Sequence, residues 1–256
     1  MNKITALAYH SIGDYPNSTY NIDISVFKEH MHLLKAEGYT VEGLHGYGKR
    51  KTANDWPSRY VLLTFDDGYK SFLKAADIIG DCGFTGTFFI TKEWCLKRDN
   101  FLSNPEIIEL GLIHEIGSHT VSHPNLTRIS QQSIHYELLE SKKWIEELIQ
   151  SPVTSLAVPG GYINSDVITA ALEIGYQLIG NSKEWWNITH NTKTPNIINR
   201  VAVRRAYSIQ TFHDIIDRNI YYYLRRRARA GILSMPKKLL SEQQIKMLYK
   251  ILKSFR

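Results

Sequence analysis

Short apolar runs alternate with amphipathic segments along almost the whole chain, and this alternation restricts the fold more than any other feature. Runs suited to strands fall near 3–9, 40–44, 60–66, 84–91, 115–119, 154–158, 176–180 and 200–204. Strands separated by helical stretches pair in parallel, so the pattern predicts a mostly parallel α/β sheet or barrel. Two intervening helices are well marked. In the first, Ser25 is expected as the cap, Val26, Phe27, His30, Met31, Leu33 and Leu34 recur at helical spacing, and Gly38 supplies the stop. In the second, from Ser130 to Ile149, the stripe is Ile134, Leu138, Trp144, Ile145 and Leu148.

Composition narrows the class. A chain of 256 residues with 43% hydrophobic and 22% charged residues has globular proportions and the length of a single (β/α) barrel domain. Cys82 and Cys95 are the two cysteines and form no Cys-x-x-Cys pair, which argues against a disulfide framework or a zinc knuckle and for a reducing compartment. The start, MNKITALAYHSIGDY, does not read as a signal peptide, and no run of 18 apolar residues occurs, so a cytoplasmic location is expected. The net charge of +6 lacks the dense basic stripe of a nucleic-acid binder. Composition shifts only from Tyr221, where YYYLRRRARAGILSMPKK leads into an amphipathic segment opened by Ser241 and carrying Ile245, Leu248, Tyr249 and Leu252.

The chemistry lies in two short segments. In VLLTFDDGY, residues 61–69, an apolar strand ends on Asp66, Asp67 and Gly68, at the strand exit where parallel α/β folds bind ligands. Neighbouring side chains of a regular strand point to opposite faces, so a turn near Gly68 is needed to bring both carboxylates to one site. Alone, the segment also reads as a solvated Asp-Asp-Gly turn. In EIGSHTVSHPNL, residues 115–126, His119 and His123 stand four apart after another apolar stretch, close enough for two imidazoles to meet one cation. Together the segments offer one carboxylate and two imidazoles to a metal and leave a carboxylate over. Three N/O ligands and an open position for water are the arrangement of catalytic zinc.

These motifs resemble those of the polysaccharide deacetylases of carbohydrate esterase family 4, over roughly residues 1–205. The resemblance implies a distorted, incomplete (β/α) barrel, with Asp66 as catalytic base and Asp67, His119 and His123 as metal ligands. The family's third motif, Arg-x-Pro-x-Gly, is matched by Ala157-Val158-Pro159-Gly160-Gly161, so its Arg is absent while Pro159 and the glycines make a tight turn whose Gly160 amide could face an oxyanion, an ordinary β-turn being the plain alternative. Its late Leu-x-His motif has no match, because His213 lies in the helix-like TFHDIIDR. A rearranged subgroup resembling the poly-N-acetylglucosamine deacetylases carries the acid histidine on the first strand, and Leu7-Ala8-Tyr9-His10 fits it, which makes His10 the general acid. A packed core or loop histidine is the plain alternative for His10.

The expected organisation is a catalytic domain over residues 1–220 and a basic helical extension over 221–256 packed on or beside it. The expected function is metal-dependent removal of an N-acetyl group from an amino sugar in a glycan, glycolipid or oligosaccharide. Zinc is the expected metal, with Co²⁺, Mn²⁺ or Fe²⁺ compatible with the same ligands. A metal amidohydrolase acting on a small non-sugar amide and a catalytically silent carbohydrate-binding module are the alternatives. Arg225, Arg226, Arg227 and Arg229 could touch anionic lipid at the inner membrane face or a pyrophosphate-linked substrate, or form a solvated helix face. Trp185 and Trp186 suit either a sugar platform or core packing. His30, His32, His45, His114, His135 and His190 read as packing or surface residues, and the cysteines as small buried ones.

Overall fold

The computed structural model describes residues 3–14, 18–189, 196–234 and 247. Its strands are β1 (Lys3–Tyr9), β2 (Thr40–Glu42), β3 (Tyr60–Phe65), β4 (Thr87–Ile90), β5 (Glu115–Ser118), β6 (Ser155–Ala157), β7 (Leu178–Asn181), β8 (Asn187–Ile188), β9 (Asn196–Asn199) and β10 (Val201–Ala202). Its helices are α1 (Ile24–Ala36), α2 (Leu44–Ala53), α3 (Phe72–Asp81), α4 (Lys92–Lys97), α5 (Asn104–Gly111), α6 (Gln131–Ile149), α7 (Ser165–Glu173), α8 (Ile209–Ile216) and α9 (Ile220–Ser234). The expected alternation is therefore present. Strand β8 and the separate strand β9 were not expected, being two and four residues long and rich in asparagine rather than in β-branched residues.

The capping of α1 differs from expectation. Asp23, extended at φ −63° and ψ 142°, stands at the N-cap without a side-chain bond, and Ser25 already lies inside the helix. The expected face is nevertheless buried through Phe27, His30, Met31 and Leu34, and Gly38 turns the chain at φ +70°. Helix α6 begins as expected, with the Ser130 side chain accepting from the Ser133 amide.

The strands run in the order β10, β1, β3, β4, β5, β6, β7, β9, with all neighbours on this path parallel. One layer of core, including Tyr9, Leu63, Phe65, Phe88, Leu138 and Phe212, lies between the sheet and the helices. A smaller cluster of Ile4, Ala6, Leu62, Phe89, Ala157, Leu178 and Ile198 fills the other face. The sheet curls so that its two end strands, β9 and β10, are consecutive in the chain with Arg200 alone between them. Arg200 is thus the seam of a nearly closed barrel.

Strand alternation sends Leu62, Thr64 and Asp66 to the inner face, while Leu63 and Phe65 face the helices. From the seam, Arg200 reaches this inner row. Its Nη1 and Nη2 donate to Asp66 Oδ1 and Oδ2 at 2.6 and 2.9 Å, its Nη1 also donates to Thr64 Oγ1 at 3.2 Å, and its Nε donates to the Asn181 carbonyl at 3.2 Å. Arg200 is 1% and Asp66 4% exposed, so each needs the other: removing one member of a buried pair strands the remaining charge. Gly180 gives the guanidinium room, since a Cβ there would lie 2.7 Å from Arg200 Nε. We expect Arg200→Met to cost about 3–5 kcal/mol of unfolding free energy in denaturant titrations. Adding Asp66→Asn should restore most of that loss, and a strictly additive double variant would contradict the pairing.

Candidate active site

The two aspartates reach one site because the turn begins at Asp67 itself. Asp66 keeps the inward direction of β3, then Asp67 at φ +90° and Gly68 at φ +93° reverse the chain. Burial raises the carboxyl pKa of Asp66, but the charge of Arg200, then of His119 and His10, outweighs it and holds Asp66 well below the usual carboxylate range. Asp67 is also lowered: burial opposes its charge, and the bond to His119 with the charges of His10, His119 and His123 prevails.

The loop after β5 supplies the histidines. His119 Nε2 and His123 Nε2 lie 3.4 and 3.5 Å from Asp67 Oδ1. The candidate ligand atoms of Asp67, His119 and His123 all lie within 4.8 Å of one another. His119 is fixed from behind by a contact of 2.8 Å between Nδ1 and the Ala157 carbonyl. A proton on Nδ1 satisfies that carbonyl and leaves the Nε2 lone pair facing Asp67, as in metal-bound histidines whose other ring N–H is held by a carbonyl. Burial works against charge on His119, but Asp67 and Asp66 outweigh it and raise its pKa. His123 is lowered to about 4 by burial and by the neighbouring His119, which favours a neutral, lone-pair-bearing ring at pH 7. Its other face stacks on Trp94, with centroids 4.7 Å apart. This N₂O donor set, with its outer groups bonded, fits a divalent transition ion.

His10 stands just past the end of β1, half-buried, and stacks on Tyr20 at a centroid distance of 4.8 Å. It is close enough for its charge to act on both aspartates. Its Nδ1 is buried without a hydrogen-bond partner among the described residues, so ring packing orients it. Pro159 and Gly160 form a tight turn after β6, with Gly160 at φ +63° and Gly161 at φ +73°. Gly161 packs so closely that a Cβ would lie 2.3 Å from the Ser182 amide nitrogen.

Arg200 escaped the sequence reading. The position ahead of Pro159 where the family motif has Arg is Ala157, and the guanidinium comes instead from the seam 134 residues beyond Asp66. The available signal was one arginine between Ile197-Ile198-Asn199 and Val201-Ala202-Val203, a charge that burial in a sheet obliges to find a partner. The basic run also divides on folding. Arg226 turns inward to Glu184 at 2.6 Å and Arg227 lies over Trp185, while Arg225 is exposed and the side chain of Arg229 lies outside those described. Trp186 is core, 7% exposed, and packs on buried Tyr223. Residues Ser241 to Leu252, expected as an amphipathic helix, lie outside the described residues except for Met247, and His190 lies outside them as well.

Residues 53–179 match the family model for polysaccharide deacetylase. The chain is 28% identical over 180 residues to YxkH of Bacillus subtilis, covering 69% of this chain and 63% of that one. It is 29% identical over 165 residues to a peptidoglycan-N-acetylglucosamine deacetylase of Bacillus cereus, covering 61% of this chain and 73% of the relative. It therefore spans a little under two thirds of YxkH. In three dimensions it is similar to the Streptococcus pyogenes deacetylase PplD, solved with acetate, at a TM-score of 0.76 and 22% identity over 84% of this chain and 98% of that one. That likeness shows the nearly closed barrel of these enzymes. The family match over residues 53–179, the two relatives and the fold all make this chain similar to the polysaccharide deacetylase family.

Proposed function

We propose that this protein is a metal-dependent hydrolase that removes the acetyl group from an N-acetylated amino sugar. The observation carrying this reading is one buried site with an ionised carboxylate clamped by Arg200 beside a separate Asp67, His119 and His123 set. Those three residues would hold the metal, for which zinc is our choice. When bound, the ion supplies Lewis acidity towards the acetyl carbonyl and lowers the pKa of a bound water towards neutrality.

The protein's own groups account for the proton movements. Asp66 takes the proton of the attacking water. The clamp uses one lone pair on each of its oxygens, which leaves acceptor capacity for that water. The Gly160 amide faces the charge that develops on the carbonyl oxygen. His10 donates a proton to the nitrogen as the C–N bond breaks, and acetate and a free amino sugar leave. A non-sugar amide is the competing substrate class, and acetate release from N-acetylglucosamine oligomers against small amides separates the two. A silent binding module would not need a buried charged base beside a metal-binding set.

We also propose a peripheral contact with anionic lipid through α9. Its outward residues are Ile220, Tyr221 and Leu224, flanked by exposed Arg225 and Arg227, and this mixture suits the headgroup layer. No helix among the described residues is long and apolar enough to cross a membrane. A lipid-linked saccharide is the substrate this contact favours.

Asp66→Asn and His10→Ala should each lower kcat for acetate release by about 10²–10⁴-fold with the zinc content unchanged. Full activity in purified Asp66→Asn would remove the base from the mechanism. For the lipid contact, the protein should co-sediment with vesicles containing phosphatidylglycerol but not with phosphatidylcholine alone, and raised salt should weaken the binding. Co-sedimentation unchanged by Arg225→Glu with Arg227→Glu would contradict the contact.

A further inference from the structure

We infer that Glu137, on α6, is the positioning residue that sets the spacing of His119 and His123, an inference that rests on the metal reading above. The two histidines are joined by Thr120, Val121 and Ser122, and this link has no helical or strand bonding of its own. Glu137 grips its middle. One carboxylate oxygen accepts from the Val121 and Ser122 amides at 2.8 and 2.9 Å, and the other accepts from Ser122 Oγ at 2.5 Å.

The burial of Glu137 makes this grip unusual. The residue is 7% exposed, and its bonds to the link come from amide and hydroxyl donors rather than from a cation. Long acidic side chains are rarely buried in this way unless their acceptors are used. The link it holds is also strained, because Thr120 and His123 adopt φ +70° and +63°, a region that side chains with a Cβ seldom enter. Such a conformation persists only where surrounding bonds over-determine it.

The remaining contacts show which histidine depends on Glu137. His119 has its own anchors, its amide donating to the Ile90 carbonyl at 2.9 Å and its ring meeting the Ala157 carbonyl. His123 has the Trp94 stack and an amide bond to Thr120 Oγ1 at 3.1 Å, a partner within the same link. Val121 and Lys92 tie the link to the start of α4 through the Glu93 amide donating to the Val121 carbonyl and the Lys92 amide donating to the Thr120 carbonyl. Glu137 is the contact from α6 that fixes the turn into His123, so its loss should displace the Nε2 of His123 while His119 stays in place.

The test is zinc affinity of the full chain by competition with a chromophoric chelator, with folding checked by circular dichroism and with the visible spectrum of the cobalt(II)-loaded protein as a geometric readout. Glu137→Ala should weaken zinc binding by about 10- to 100-fold, as loss of an outer-shell partner does, and alter the cobalt bands. Glu137→Gln should remain within about threefold of wild type, because its amide oxygen can accept from both backbone donors while its NH₂ meets Ser122 Oγ. Glu137→Asp keeps the charge but withdraws the carboxylate by one methylene, and it should also weaken zinc binding; it decides the matter if Glu137→Ala does not fold. Wild-type zinc affinity in folded Glu137→Ala or in Glu137→Asp would overturn the inference. So would a loss in Glu137→Gln equal to that in Glu137→Asp. The zinc titrations need no substrate, so a wild type that binds zinc but releases no acetate would count against the hydrolytic reading alone.

Discussion

A carboxylate and a guanidinium meet inside the barrel with both of their forks engaged, and the rest of the site is arranged around that contact. Asp66 and Arg200 are both almost wholly buried, so the charge of each must be met chiefly by the other. Bidentate geometry makes the pair specific as well as attractive. The contact also depends on the sheet's closing, because the arginine stands between the strands that end it on either side. Gly180 keeps the path of the arginine open, and Thr64 and the Asn181 carbonyl take two of its other donors. Fold closure and a charged, aligned carboxylate are therefore one structural event.

The other charged groups are held by separate elements. Asp67 leaves the strand through a left-handed residue, and the histidine loop contains two more such residues. This concentration of strained backbone around the three candidate ligand side chains is what a preorganised site costs, offset by the bonds from Glu137, Ile90 and Ala157. His10 completes the site differently, through the end of the first strand and a ring stacked on Tyr20. Away from this end, Glu115 binds Thr87, Ser155 and the His45 amide across neighbouring strands, a network with a structural role.

What could be read in the sequence was what is encoded locally. Asp66 with Asp67, and His119 with His123, each lie within a few residues of one another after an apolar run, so pattern and spacing suffice to find them. The strand and helix alternation likewise foretold a mostly parallel sheet or barrel. Arg200 could not be found in this way, since its partner is 134 residues away and is reached only once the barrel closes. Glu137 looked like one polar position among many on an amphipathic helix, and its burial becomes visible only when α6 packs beside the histidine loop. Arg226 shows the same limit: in sequence it is one of a basic run, whereas the helix turns it to Glu184 and leaves Arg225 outside. Ser25 failed as a cap for a smaller reason, because the extended backbone that a cap requires falls two residues earlier.

The central claim is that hydrolysis takes place at one ion held by Asp67, His119 and His123 beside the clamped base. Its most direct test is to strip the protein of metal and add zinc back stepwise while following acetate release from an N-acetylglucosamine oligomer. Activity should rise linearly and level off at one equivalent per chain, and Asp67→Ala should show neither tight uptake nor recovery. Undiminished activity after stripping, or the same recovery in Asp67→Ala, would contradict the account.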